Sequence, residues 1–184
     1  MSQSRESGLA RVARAISGLS EWTGRTISWL TLLMVLVTFV VVILRYLFNV
    51  GWIAMQETIT WMHALVFMLG AAYTLSHDGH VRVDVFYRTA SPRAKAWVDL
   101  LGTLVLLLPV CGFIAWTSWD YVASSWAVHE ASKETGGLPG LYLLKTAILV
   151  MAGLLILQGL AILMNNLLVI LGRAPAGDEG EVTP

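Results

Sequence analysis

The chain has 184 residues, of which 57% are hydrophobic and 13% charged, with 12 basic and 12 acidic side chains, a net charge of zero and a mean hydropathy of +0.70. A charged share that low excludes an ordinary soluble domain and a disordered polyelectrolyte, and the neutral balance gives no electrostatic ground for a nucleic-acid partner. One cysteine, Cys111, supports neither a disulfide framework nor a cysteine-based metal site, and it reads as a small packing residue.

Residues 1–26 are polar with apolar side chains at Leu9, Val12, Ala13, Ile16 and Leu19, a spacing that predicts a short amphipathic helix lying on the inner leaflet with its arginines toward anionic lipid. Apolar stretches follow at about 27–48, 55–75, 96–119 and 141–171. Each reaches the ~20 residues that a helix needs to cross ~30 Å of hydrocarbon, so the chain is expected to be an all-α integral membrane protein with four transmembrane helices. The first stretch is too long for a signal-peptide core and lacks a small-x-small cleavage site before Phe48 and Trp52, which predicts a retained anchor.

Between the second and third stretches the sequence breaks at Ser91-Pro92, a good helix start, and Pro109 in the run Leu106-Leu107-Leu108-Pro109 predicts a kink in the third span. Residues 121–140 form a loop that ends in Gly136-Gly137-Leu138-Pro139-Gly140, a rigid turn into the fourth span. The tail 172–184 is rich in Pro, Gly and acid and reads as disordered. Small and polar residues within the spans, Gly70, Ala71, Thr74, Gly153 and Gln158, suit close helix contacts more than lipid.

Lys and Arg sort to one side. Arg5, Arg11, Arg14 and Arg25 precede the first span and Arg82, Arg88, Arg93 and Lys95 lie between the second and third, whereas the opposite side has only Arg45 and Lys133. The basic loops predict that both termini are cytoplasmic. Trp22, Trp29 and Trp97 then fall at the inner interface, and Tyr46, Trp52, Trp116, Trp119, Tyr121 and Tyr142 at the outer one.

Ionisable groups in the spans are the candidates for chemistry, because they are costly to place in hydrocarbon. They are Arg45, Glu57, His63, Asp99 and Lys145. Lys95 and Asp99 are four apart and can pair locally, and Lys145 can pair or snorkel near a span end. Arg45 and Glu57 bracket the first outer hairpin at similar depth, which predicts an ion pair; a proton-carrying Glu57, as in a small multidrug exporter, is the alternative. His63 reads as a hydrogen-bonded histidine between helices rather than a haem ligand, since His77, His80 and His129 sit at or beyond membrane edges. The cluster His77, Asp78, His80 and Asp84 is a charged loop in this reading, with no metal or cofactor expected.

The order of residues adds a resemblance. Arg45-Tyr46-Leu47-Phe48-Asn49, Trp52, Glu57, Phe67-Met68-Leu69-Gly70-Ala71-Ala72-Tyr73, His80-Val81-Arg82-Val83-Asp84, Pro92-Arg93 and Asp99-Leu100-Leu101-Gly102 together resemble the small membrane subunit of tripartite ATP-independent periplasmic (TRAP) transporters. Gly136-Gly137-Leu138-Pro139, Leu144-Lys145 and Leu157-Gln158-Gly159-Leu160-Ala161 are similar to the branch labelled mannitol or chloroaromatic. One departure is Gln56-Glu57, where many relatives carry an acidic pair.

The resemblance implies a non-catalytic scaffold in a bacterial inner membrane. Its partners would be a large permease subunit, a periplasmic substrate-binding protein and membrane lipid, in sodium-driven uptake of an organic acid. It implies subunit contact or structural pairing at Arg45, Asn49, Trp52 and Glu57, and a cytoplasmic family motif at His80, Asp84 and Arg93. A dock for the binding protein is expected at Asp120, Trp126, His129, Glu130, Lys133 and Glu134, whose mix of charge and aromatics suits a transient contact. Two other classes stay open on the residues alone, a haem-bearing anchor of a respiratory enzyme and a small self-contained proton-coupled exporter.

Overall fold

The structure, a computed structural model, describes residues 8–81 and 87–172. Its helices are α1 (Gly8–Leu47), α2 (Ile53–Ser76), α3 (Pro92–Gly102), α4 (Leu108–Ala127) and α5 (Leu141–Ile170), and a π turn over Thr103–Leu107 joins α3 to α4. Counting α3 through α4 as one rod, four helices are long and apolar enough to cross a membrane, and the described residues contain no strand. The expected all-α, four-span architecture is what forms.

Helix α5 is the centre. It packs against α1, α2, α3 and α4, while α1 and α2 pack on each other; among the described residues α3 and α4 touch neither α1 nor α2. The result is a layered arrangement, with the α1–α2 pair on one side of α5 and the α3–α4 rod on the other. One end carries the start of α1 and the end of α5. The opposite end, here called the loop end, carries the hairpin 48–52 and the loop 128–140.

The core is built from small side chains. Ala13, Ala72, Ala96, Ala147, Ala152 and Ala161 are buried, as are Ser20, Gly24, Thr103 and Gly159. In a membrane, lipid tails compete for large apolar side chains, so close backbone contact between small residues supplies the packing. A Cβ on Gly24 would lie 2.2 Å from Cγ of Tyr73, and one on Gly159 would lie 3.0 Å from Leu107 and 3.4 Å from Thr103. Ser20 Oγ donates to Oε1 of the buried Gln158 at 2.9 Å, and Gln158 Nε2 reaches Ser17 Oγ at 3.5 Å, which ties α1 to α5.

These contacts change the expected picture of the N-terminal segment. From Gly8 onward it is no separate surface helix: it runs unbroken into the first span, giving a 40-residue α1 about 60 Å long. On its small face Ser17 and Ser20 meet Gln158 of α5 and Gly24 lies against Tyr73 of α2, while Glu21 accepts from Arg25 and its other oxygen lies 3.2 Å from His77 Nε2 beyond the end of α2. The side chains that pack are the small ones, whereas Leu9, Val12 and Leu19 of the expected apolar face stay exposed. The tail 173–184, together with Arg5, lies outside the described residues.

Helix α3 begins where Ser91-Pro92 predicts, with Ser91 Oγ accepting from Ala94 N at 3.3 Å. The disturbance expected at Pro109 takes the form of the π turn. Proline has no N–H for the carbonyl four residues back, and its ring crowds that carbonyl; one wider turn, with Leu108 N bonding to Thr103 O, relieves both.

Candidate functional site

The loop end holds most of the residues singled out in the sequence. Helix α1 stops there because Asn49 takes a left-handed backbone at φ 52°, which lets Val50 N donate to Leu44 O at 2.9 Å. Helix α4 stops in the same way at His129, φ 46°, with Glu130 N on Ser125 O at 3.0 Å. The second is a six-to-one closure of a helix end and the first is one residue wider, and Asn and His are among the few non-glycine residues that accept that conformation readily. Sequence reading assigned these two residues to contacts; their backbone role was not visible in residue type alone.

Glu57 joins α2 to the 128–140 loop. Ser132 Oγ donates to Glu57 Oε1, and Leu138 N donates to Oε2 at 2.6 Å. Ser132 N in turn donates to Leu138 O at 3.0 Å, and Gly137 N to Glu134 O at 3.0 Å, so one carboxylate closes a compact loop. A Cβ on Gly137 would lie 2.8 Å from Glu57 Oε2 and 2.5 Å from Ser132 Oγ. The glycine is required by that close approach.

The expected Arg45–Glu57 ion pair is not formed. Both oxygens of Glu57 are engaged by the loop, while Arg45 is exposed in the last turn of α1, where a cation is favoured by the helix dipole and can reach toward water. Around it Tyr46, Leu47, Phe48 and Trp52 are exposed, which makes the 48–52 hairpin an apolar surface.

A second tie anchors the start of the loop. Glu130 Oε2 accepts from Lys145 Nζ and, at 2.6 Å, from Ser125 Oγ; Lys145 Nζ also lies 3.9 Å over the ring of Tyr121. Trp126 Nε1 donates to Thr146 Oγ1 at 2.8 Å, and Tyr142 meets the rings of Trp126 and His129 edge-on. Glu130, Trp126 and His129 are therefore committed within the chain, whereas Asp120, Lys133 and Glu134 remain exposed at this end.

The hydrogen bond from Lys145, then that from Ser125, holds the Glu130 carboxyl below its usual range. A carboxyl lowered on folding contributes stability above its unfolded value, ~4.3, and loses that contribution as pH falls through the folded value. Acidification from about pH 7 to about pH 3 is expected to loosen 128–140, seen as lower amide protection there once the intrinsic exchange rate at each pH is divided out. Glu130→Gln should reduce the acid sensitivity, and an identical pH profile in that variant would show that the tie does not control the loop.

The remaining candidates are dispersed. His80 and Arg93 are exposed at the terminus end, and Asp84, like Arg82, lies outside the described residues. Tyr87 Oη donates to Asp99 Oδ2 at 2.6 Å, with Lys95 Nζ 5.5 Å from the Tyr87 ring centre. His63 differs from expectation: it is exposed on the outer face of α2, makes no hydrogen bond among the described residues and lies 5.9 Å from the ring of Phe67. Among the described residues no group of three or more His, Cys, Asp or Glu side chains is placed to hold a metal.

A layered bundle of membrane-spanning helices, packed on small residues and closed at one end by a carboxylate-latched loop, defines a multi-pass membrane protein of the helical-bundle class. Residues 34–168 match the family of tripartite ATP-independent periplasmic transporters, DctQ component. That match covers most of the chain, and the chain belongs to this family. It is a component of a transporter and not an enzyme. Comparison with curated proteins and with solved structures gives no match.

Proposed function

We propose that this chain is the scaffold of a TRAP-type uptake system in a bacterial inner membrane, with both termini cytoplasmic and the loop end facing the periplasm. It holds a large permease subunit in place, and its loop end forms part of the dock for a substrate-binding protein that delivers an organic acid for uptake driven by a sodium gradient. The observation that carries this reading is the division of the molecule into a tightly packed interior and an apolar exterior. Buried Ser20 and Gln158 pair with each other, and the core is otherwise mainly Ala, Gly and other small residues, which leaves the helices as a support rather than a pathway. Exposed side chains such as Phe39, Phe67, Phe113 and Trp116 give such a support large surfaces for membrane partners.

Docking belongs to the exposed charges in this reading. Asp120, Lys133 and Glu134 lie exposed at the loop end and form no ion pair among the described residues, beside a loop that Glu57 and Lys145 hold in shape. Steering by such rim charges acts on association more than on final affinity and weakens with salt. In proteoliposomes containing the whole system, the triple reversal Asp120→Lys, Lys133→Glu and Glu134→Lys is expected to raise the binding-protein concentration needed for half-maximal uptake several-fold at low salt, with the maximal rate kept. His129→Gly, which preserves the helix end, should leave that concentration unchanged. Unaltered kinetics in the triple variant would remove this surface from the dock.

A further inference from the structure

His63 and the groove beside it define a surface that lipid does not satisfy. The residue lies ten positions into α2, about 15 Å along the axis from Ile53, so its short side chain reaches neither membrane face. It is exposed and has no hydrogen-bond partner among the described residues. Hydrocarbon offers an imidazole no hydrogen-bond partner, and ionisable side chains in spans ordinarily face protein or water. Other exposed mid-span surfaces differ in kind. Those of α1 carry Leu32, Val35, Leu36 and Phe39, and those of the α3–α4 rod carry Val105, Leu106, Val110 and Phe113, all compatible with lipid tails.

One turn beyond His63 a groove of about 600 Å³ opens between α1 and α2. Phe67 forms a wall, Ser28, Thr31, Gly70 and Thr74 line it, and His80 stands at the far mouth. Ser28 and Thr74 spend their hydroxyl protons on their own helices, on Arg25 O at 2.8 Å and Gly70 O at 3.1 Å. The groove is thus largely apolar, and His63, which does not line it, stands one turn before its wall residue Phe67, with the two rings 5.9 Å apart.

We infer that the α1–α2 face is covered by a transmembrane helix of the large permease subunit, and that a polar side chain of that helix hydrogen-bonds His63. The occupant is a protein helix because acyl chains would leave the imidazole unpaired. The inference rests on the scaffold function proposed above and assigns its contact to one face and one residue.

The test uses the two chains co-expressed and purified together, with the photo-crosslinking residue benzoylphenylalanine placed at Phe67 or, on the opposite side, at Phe113. Irradiation is expected to join the permease to the Phe67 derivative and not to the Phe113 derivative. His63→Leu should lower recovered permease about threefold, the scale of one interhelical hydrogen bond in a membrane, and His63→Gln should restore part of it. The thermal midpoint of the lone His63→Leu chain should be unchanged or higher. Adducts at Phe67 only with lipid or with a second copy of this chain, permease adducts only from Phe113, or undiminished recovery with His63→Leu would each overturn the inference and leave the scaffold function standing. Failure of the two chains to co-purify would overturn both.

Discussion

Glu57→Ala is expected to release the 128–140 loop from the bundle while leaving the four spans intact. The carboxylate receives the Ser132 hydroxyl on one oxygen and the Leu138 amide on the other, and these bonds reach 75 and 81 positions along the chain. Charge-assisted bonds to a carboxylate are about twice as strong as neutral ones, and Leu138 N has no other acceptor once the side chain is gone. Amide exchange at Leu138 should accelerate tenfold or more, an order-of-magnitude expectation for losing such a bond. Glu57→Gln keeps one acceptor oxygen for Leu138 and should retain part of the protection. Gly137→Ala should mimic the loss by steric means, since its Cβ would stand 2.8 Å from Glu57 Oε2. Arg45→Ala is the control: it should leave exchange at Leu138 unchanged, because the arginine takes no part in the latch. A loop as protected in Glu57→Ala as in the parent would overturn this account.

What the sequence made legible, and what it did not, divides along the range of the forces involved. Span number and helix type follow from local hydropathy over 20 residues, and the start of α3 follows from adjacent Ser91 and Pro92, so both could be read directly. The latch could not. Nothing near Glu57 in the sequence marks Ser132 or Leu138 as its partners, and the nearest opposite charge, Arg45, was the natural but mistaken choice. Gly137 was legible as a turn residue but not as the residue that lets a carboxylate approach. The roles of Asn49 and His129 escaped for another reason: both side chains suggest recognition, whereas their use here lies in a backbone angle. At Pro109 the location of a disturbance was legible from the proline itself, and the packing of Thr103 and Leu107 against Gly159 accompanies its form as a π turn. The uninterrupted α1 was hidden by the change from polar to apolar composition near residue 27, which marks where a hydrocarbon span could begin and not where the helix starts.

The contact of Gly24 with Tyr73 yields the second large effect. Gly24→Ala would place a methyl carbon 2.2 Å from Cγ, 2.4 Å from Cδ2 and 2.5 Å from Cβ of Tyr73. Non-bonded carbons rest at about 3.5–4.0 Å, and because Tyr73 Cβ is fixed by its backbone, rotating the ring cannot remove the clash. Helices α1 and α2 must part by about 1 Å on that contact distance. Neighbouring ties lie within one turn: Ser20 with Gln158 on α5 and Glu21 with His77 past α2. Overpacking of this kind costs roughly 1–3 kcal/mol, and losing the flanking bonds adds to it. A lowered thermal midpoint of the detergent-solubilised protein is therefore expected for Gly24→Ala. Gly153→Ala, whose Cβ would meet nothing within 4 Å, should be close to neutral or slightly stabilising through helix propensity. The double variant Gly24→Ala with Tyr73→Ala gives the decisive comparison. Removing the ring beyond Cβ relieves the contacts at Cγ and Cδ2 but keeps the one at Cβ, so the pair should recover part of the loss relative to the sum of the single changes. Strict additivity would mean that the glycine is not held under the tyrosine, and that the close approach of α1 to α2 has another cause.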